Sequence, residues 1–195
     1  MAETRKRILV AASAVWLAAA FGVCGTLGGG AAVASDPPSK RGTIDVLFSP
    51  EGGCQARIVE EIGRAKKRVL VQAYFFTSKP IAEALIEAQQ RGVECEVIAD
   101  ASQEKMTYGR LPVLRRAGVK VLIDAEHKTA NNKVILIDTH TIITGSYNYT
   151  KAAEEENAEN VLIIKRHKDL FKKYLANYEK HKSHARPYRS ERKTV

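Results

Sequence analysis

The sequence predicts an α/β protein in which helices cover the faces of a largely parallel sheet. Two features point there: apolar residues switch repeatedly between a period of two and a period of three to four, and the resulting segments alternate strand, helix, strand, helix, strand. Alternation of this kind implies right-handed crossovers that lay helices against a sheet. Taken in order, residues 43–48 put Ile44, Val46 and Phe48 on one face of a strand. Cys54, Ile58, Val59, Ile62 and Ala65 then recur at helical spacing. Residues 68–75 again read as a strand, and Ser78 caps a helix carrying Ile81, Ala82, Leu85, Ile86 and Ala88 that stops at Gly92. Residues 94–99 form the next strand, residues 110–117 a short helix, and residues 119–123 a further strand.

After Asp124 the rhythm changes. Residues 133–137 and 141–144 read as two short strands joined by Asp138-Thr139-His140, a hairpin, and residues 160–165 as another strand. A last helix over residues 167–183 gathers Leu170, Phe171, Tyr174, Leu175 and Tyr178 into one apolar stripe. Residues 184–195 are polar and basic, the composition of a disordered tail.

One domain, residues 43–183, accommodates these elements, and 195 residues suffice to bury a core. Residues 1–34 stand apart. Arg5, Lys6 and Arg7 precede an uncharged Ala/Val/Leu/Gly run ending in Ala32-Val33-Ala34, the layout of a secretory signal peptide. An uncleaved anchor is the rival, since the run is long enough to span a bilayer, and Cys24 raises a weaker lipoprotein reading. Residues 35–42 are a polar linker. Export leaves the domain with Cys54 and Cys95, and the alternation around Cys95 favours two packed, unpaired thiols over a bridge. The charge is lopsided: residues 165–195 carry a net +8 of the chain's +9, and residues 35–164 are close to neutral. A basic end of this kind favours polyanionic partners, DNA or RNA or an anionic lipid surface.

The chemistry-bearing stretch runs from Asn131-Asn132-Lys133 through the apolar strand to Asp138, then Gly145-Ser146-Tyr147-Asn148, then Glu159-Asn160. Lys133 starts a strand, so its ammonium projects from a strand end. Ser146 and Asn148 share a side at period two. A cation, a hydroxyl and a carboxamide converging there would suit a phosphodiester oxyanion. Singly, each residue is unremarkable: an edge lysine and ordinary turn formers.

Together, Lys133, four residues, Asp138, Gly-Ser-x-Asn and the trailing Glu-Asn resemble the HxKxxxxD signature of the phospholipase D family. The likeness is greatest to its small single-motif branch, which includes a metal-independent bacterial endonuclease and mitochondrial cardiolipin hydrolase. It extends over Phe48-Ser49-Pro50, Cys54 and residues 71–78. The resemblance implies an α/β/α sandwich with a mixed, largely parallel central sheet. It also implies a homodimer with the active site on its two-fold axis and hydrolysis through a phosphohistidine with no cofactor and no metal. Carried over, Lys133 and Asn148 bind phosphate, Ser146 supports them, Asp138 is structural or orients its neighbours, and Glu159 orients the attacking imidazole.

The departure is Asn131, which stands where the nucleophilic histidine belongs. A carboxamide has no lone-pair nitrogen to attack phosphorus and no pKa near 7, so it serves neither as nucleophile nor as general acid. A natural inactive homologue and a deliberate active-site substitution look alike in a sequence. His127 and His140 flank the motif, and both read as loop histidines. Three functions follow: a metal-independent non-specific endonuclease impaired at Asn131, a phospholipase D acting on phospholipid, and a catalytically silent polyanion-binding module.

Overall fold

The computed structural model describes residues 42–189. The leader, with its signal-peptide, anchor and Cys24 readings, and residues 190–195 lie outside the described residues. Eight strands form one sheet: β1 (Thr43–Ser49), β2 (Arg68–Ala73), β3 (Glu94–Asp100), β4 (Lys120–Asp124), β5 (Val134–Ile137), β6 (Thr141–Gly145), β7 (Glu159–Lys165) and β8 (Arg186–Pro187). Their order is β1-β7-β6-β5-β2-β3-β4-β8. The helices are α1 (Cys54–Gly63), α2 (Lys79–Gln90), α3 (Leu111–Arg116), α4 (Lys151–Glu155) and α5 (Lys168–His184).

The period-two pattern splits the sheet residues between two cores. Val69, Val71, Val97, Ile123, Ile135 and Ile143 pack with Ile58, Ile62, Ile81, Leu85 and Leu114, from α1, α2 and α3. Leu70, Ile98, Leu122, Leu136, Ile142 and Ile164 pack with Phe171 and Tyr178 of α5. One strand residue in two faces each layer, so the fold is a helix–sheet–helix sandwich. Side-chain capping starts α2 as the sequence implies, with Ser78 Oγ accepting from Ile81 N at 3.3 Å.

The sheet is mixed, but its ladders are less parallel than the crossover pattern suggests. Only β2–β3 and β3–β4 pair in parallel; the other five junctions are antiparallel. The chain directions are nonetheless mostly shared, because β1, β2, β3, β4 and β6 run one way and β5, β7 and β8 the other. The physical reason is insertion: β5, β6 and β7 fill the space between β1 and β2, so the α1 crossover links strands that never touch.

The tail begins later than its composition implies. Arg186 and Pro187 pair with Ile123 and Leu122 of β4, Tyr188 N donates to Val121 O at 3.0 Å, and the Tyr188 ring is buried. Cys54 and Cys95 are both buried and unpaired, and burial pushes the Cys95 thiol up to about 11. Among the described residues no helix is long and apolar enough to cross a membrane.

Candidate active site

Lys133 lies one residue before β5, and the ladder fixes what stands beside it. Val134 pairs with Gln72 of β2 and with Thr144 of β6, so Lys133 emerges between the ends of those two strands. By alternation it shares a face with Ile135 and Ile137, the face under α1 and α2. The segment after β6 then crosses the end of β5 to reach β2. Tyr149 N donates to Phe75 O at 3.1 Å, and Thr77 N and Ser78 N donate to Tyr149 O at 2.8 Å. Lys133 is thereby half-buried in a cleft walled by Ile58, Thr144, Gly145, Tyr147 and Tyr149.

The ammonium has partners on two sides. Nζ donates to the Asn131 backbone oxygen at 2.9 Å and makes a shorter contact with Asn131 Oδ1. It also lies 5.3 Å from the centre of the Tyr74 ring, a cation–π arrangement. Burial draws the Lys133 pKa below its usual value, and the negative charge of Glu159 offsets part of that. Glu159 opens β7 two residues before Val161, which also lines the cleft, so it lies on the Lys133 face. Its Oε1 accepts from Asn157 Nδ2 at 2.9 Å, and Ser49 Oγ donates to Asn157 O at 3.2 Å.

Ser146 and Asn148 occupy the crossing segment. Ser146 Oγ accepts from Asn160 N at 3.1 Å and from Asn160 Nδ2 at 3.3 Å. Glycine is required just before it: a Cβ on Gly145 would stand 2.1 Å from Asn160 O. The Asn148 Oδ1 atom is buried and has no hydrogen-bond partner among the described residues. Buried carboxamides are ordinarily satisfied, so this one has acceptor capacity left for a donor, while its Nδ2 is the group that can donate to an anion.

Asp138 is elsewhere, which corrects its grouping with the catalytic residues. It closes the far end of β5, where its carboxylate accepts from Lys67 N at 2.7 Å and from Lys66 N and Arg68 N at 3.2 Å. These bonds tie the end of β5 to the start of β2. Burial pushes its carboxyl up, but the N–H groups of Lys67, Arg68 and Lys66 outweigh that and hold it below the usual range. Neither motif-flanking histidine stands at the cleft. His140 follows Asp138 at the far end of the sheet, and His127 Nδ1 is bound to Asp124 Oδ2 at 3.0 Å, beyond β4. The β4 strand is three positions from β5, about 14 Å at ~4.8 Å per strand.

Asn131, Lys133, Ser146, Asn148 and Glu159 therefore meet at one end of the sheet, and Asp138 does not. Tyr74, Asn157 and Ser49 join them; they lie in or beside the stretches that carry the resemblance, but the sequence assigns them no role. Open α/β sheets place ligands at the carboxyl ends of strands, and β1, β2 and β6 all end here.

This fold and this strand-end cluster define a phosphodiesterase domain, and the chain belongs to the phospholipase D family. A family model described as "Cardiolipin synthase, PLD-like domain" matches residues 58–182. The chain is similar to a phospholipase D of Rickettsia felis, 41% identical over 138 residues covering 71% of this chain and 68% of that one. It is also similar to the mitochondrial cardiolipin hydrolase of Mus musculus, 30% identical over 128 residues, 66% of this chain and 58% of that one. Among solved structures, the phospholipase D family member Nuc from Salmonella typhimurium superposes with a TM-score of 0.73 at 30% identity, covering 77% of this chain and all of that one. Members of this family are phosphodiesterase hydrolases.

Proposed function

We propose that the Lys133 cleft binds the phosphoryl group of a phosphodiester, that its substrate is DNA or RNA, and that Asn131 disables hydrolysis. The observation that supports this best is the enclosed, half-buried ammonium of Lys133, with Asn131 in direct contact and Glu159 on the same face. Lys133 Nζ and the amide Nδ2 of Asn148 donate to the phosphoryl oxygens; Ser146 fixes the crossing segment by holding Asn160. With histidine at 131, its imidazole attacks phosphorus and the bond to the leaving oxygen breaks, giving a phosphohistidine. A second copy's histidine donates the proton to that oxygen, then takes one from water as water displaces the phosphohistidine. Glu159 orients the attacking ring. Both roles fall on position 131, so Asn131 removes them together, and the general acid–base part alone is worth ~10²–10⁴-fold. The protein acts as a homodimer with this cleft at the two-fold axis, and its leader exports it to the periplasm or the exterior. The basic α5 and tail supply the salt-dependent attraction for nucleic acid.

A phospholipid substrate is the second reading. The edge strand β1 exposes Ile44, Val46 and Phe48, and Phe48 adjoins Ser49 at the cleft end of the sheet. That apolar row suits a membrane surface, and the relatives called phospholipase D and cardiolipin hydrolase agree with it.

One assay separates the readings. The protein and its Asn131→His variant are incubated in EDTA with single- and double-stranded DNA and with anionic phospholipid vesicles. Cleavage of DNA that rises at least 100-fold in the variant supports the nuclease, and head-group release without cut DNA supports the lipid enzyme. DNA binding with no turnover in either form would leave only a silent binding module, and equal turnover in both forms overturns the role given to Asn131.

A further inference from the structure

Three of the chain's five histidines meet at a point the phosphodiesterase reading does not use. Asp124 ends β4 and is wholly buried; His127 lies in the loop that follows; His181 and His184 lie one turn apart near the end of α5. Their ligand atoms all lie within 4.8 Å of one another. On a single oxygen, Asp124 Oδ2, converge His181 Nδ1 at 2.7 Å, His127 Nδ1 at 3.0 Å and His184 Nε2 at 3.4 Å. The other oxygen, Oδ1, accepts from the backbone N–H groups of Glu126 at 3.2 Å and His127 at 3.4 Å, and His127 Nδ1 also lies 3.1 Å from it.

Hydrogen bonding alone accounts poorly for this arrangement. A carboxylate has about four lone-pair sites, and three ring nitrogens and two backbone N–H groups compete for them. The rings also crowd one another, with centroids 4.8, 5.2 and 5.5 Å apart. A cation at their common centre satisfies all four groups at once, with every imidazole neutral. Three nitrogens and one carboxylate oxygen suit a borderline-soft divalent transition ion, and four protein ligands complete a tetrahedron. Bonds of ~2.0–2.2 Å set neighbouring donors ~3.3 Å apart, so His181 and His127, at 2.7 and 3.0 Å from Oδ2, open a little while donor pairs up to 4.8 Å apart close in. The backbone bonds to Oδ1 are the outer support that orients a ligating carboxylate.

We propose that Asp124, His127, His181 and His184 form a structural zinc site that staples the last turns of α5 to the loop leading to Asn131 and Lys133. The site has no open position for water, and it takes no part in phosphodiester hydrolysis. Two observations make the staple consequential. The loop it anchors runs from β4 past the ends of β3 and β2 to β5, and it is held again by Ala130 N donating to Asp100 Oδ2 at 2.7 Å. The helix it anchors carries Lys182 and Tyr178, which bind the buried Glu96 at 2.8 and 3.0 Å. Zinc therefore ties the second helix layer to the loop that leads from β4 to the motif at the start of β5.

The test uses the untagged, full-length protein, stripped with EDTA and desalted. Zinc titration by calorimetry, with elemental analysis after dialysis, is expected to give one bound ion per chain and a rise in Tm. Cobalt substituted for zinc is expected to show the intense visible absorption of a tetrahedral site. His181→Gln/His184→Gln is expected to weaken zinc binding at least 100-fold and to abolish the Tm rise. His127→Gln, in a half-exposed loop position, guards against a folding failure and is expected to weaken binding by at least tenfold. Failure of the parent protein to bind zinc, or unchanged binding in both variants, overturns the proposal. Neither outcome bears on Lys133, so this inference and the phosphodiesterase reading fail separately.

Discussion

Asn131 and Lys133 lie two residues apart, and the backbone and side-chain oxygens of the first both hold the ammonium of the second. The contact has a chemical consequence. A lysine that is half-buried, drawn down by burial and partly restored by Glu159, is a cation whose cost has already been met before a ligand arrives. An incoming phosphoryl group exchanges one set of acceptor oxygens for another, and charge-assisted bonds to phosphate are the stronger. Lys133→Ala is therefore expected to reduce affinity for a short oligonucleotide by at least tenfold in the otherwise unchanged Asn131 protein, measured by fluorescence anisotropy. Affinity within twofold of the parent would place the anion elsewhere. The residue scale is also where the sequence was most legible. Spacing puts Lys133, Ser146 and Asn148 at strand ends, but each is unremarkable alone, and the resemblance to the HxKxxxxD signature is what singles them out and adds Glu159. Asp138 is grouped with them by the same signature, which does not say that it closes the opposite end of the strand from Lys133. Tyr74 lies within residues 71–78 that carry the resemblance, but nothing in its type or position points to a contact with Lys133.

The elements show how a short strand carries two unrelated jobs. The strand β5 is only Val134–Ile137, fully buried, with the ligand-facing Lys133 at one end and the carboxylate of Asp138 at the other. That carboxylate gathers three backbone N–H groups at the start of β2, and Arg68 Nε donates to its backbone oxygen at 3.1 Å. Removing it leaves three donors short of an acceptor, at ~1–3 kcal/mol for each buried group left unsatisfied. Asp138→Ala is expected to cost about 3 kcal/mol at neutral pH in denaturant unfolding, given partial hydration of those donors. The pH dependence has a definite sign. A carboxyl held below its unfolded value stabilises the fold above pH ~4 and loses that contribution as pH falls through the lower, folded pKa. The gap between parent and variant is thus expected to be widest near neutrality and to shrink below pH ~4; a gap that grows on acidification would contradict the bonding. At this scale the periodic elements were legible almost to the residue, because burial on one or both faces writes itself into period. What was missed lacks that pattern. The strand β8 is Arg-Pro held by backbone bonds alone, and α4 is a single turn capped by Thr150 Oγ1. Adjacency in the sheet was illegible too, since the placing of β5 to β7 between β1 and β2 is a matter of long-range pairing.

The whole molecule is asymmetric in charge and in polarity. Among the described residues, α5 is rich in lysine and forms the layer opposite α1 and α2, while Ile44, Val46 and Phe48 lie exposed along the β1 edge. A row of exposed apolar side chains on an edge strand is costly to leave in water and invites a covering surface. The proposed homodimer requires that two copies bring position 131 together. Sedimentation of the domain is accordingly expected to give a dimer at micromolar concentration. A monomer across that range would remove the second copy from the proposed reaction.

The central claim is that position 131 is where the covalent bond to phosphorus forms. Acid quenching of Asn131→His during turnover of a phosphorus-labelled phosphodiester, followed by peptide mapping, tests it most directly. The account predicts acid-labile, base-stable label on the peptide containing residue 131, and none in the parent protein. Label on His127 or another histidine, or turnover with no labelled protein at all, would contradict it.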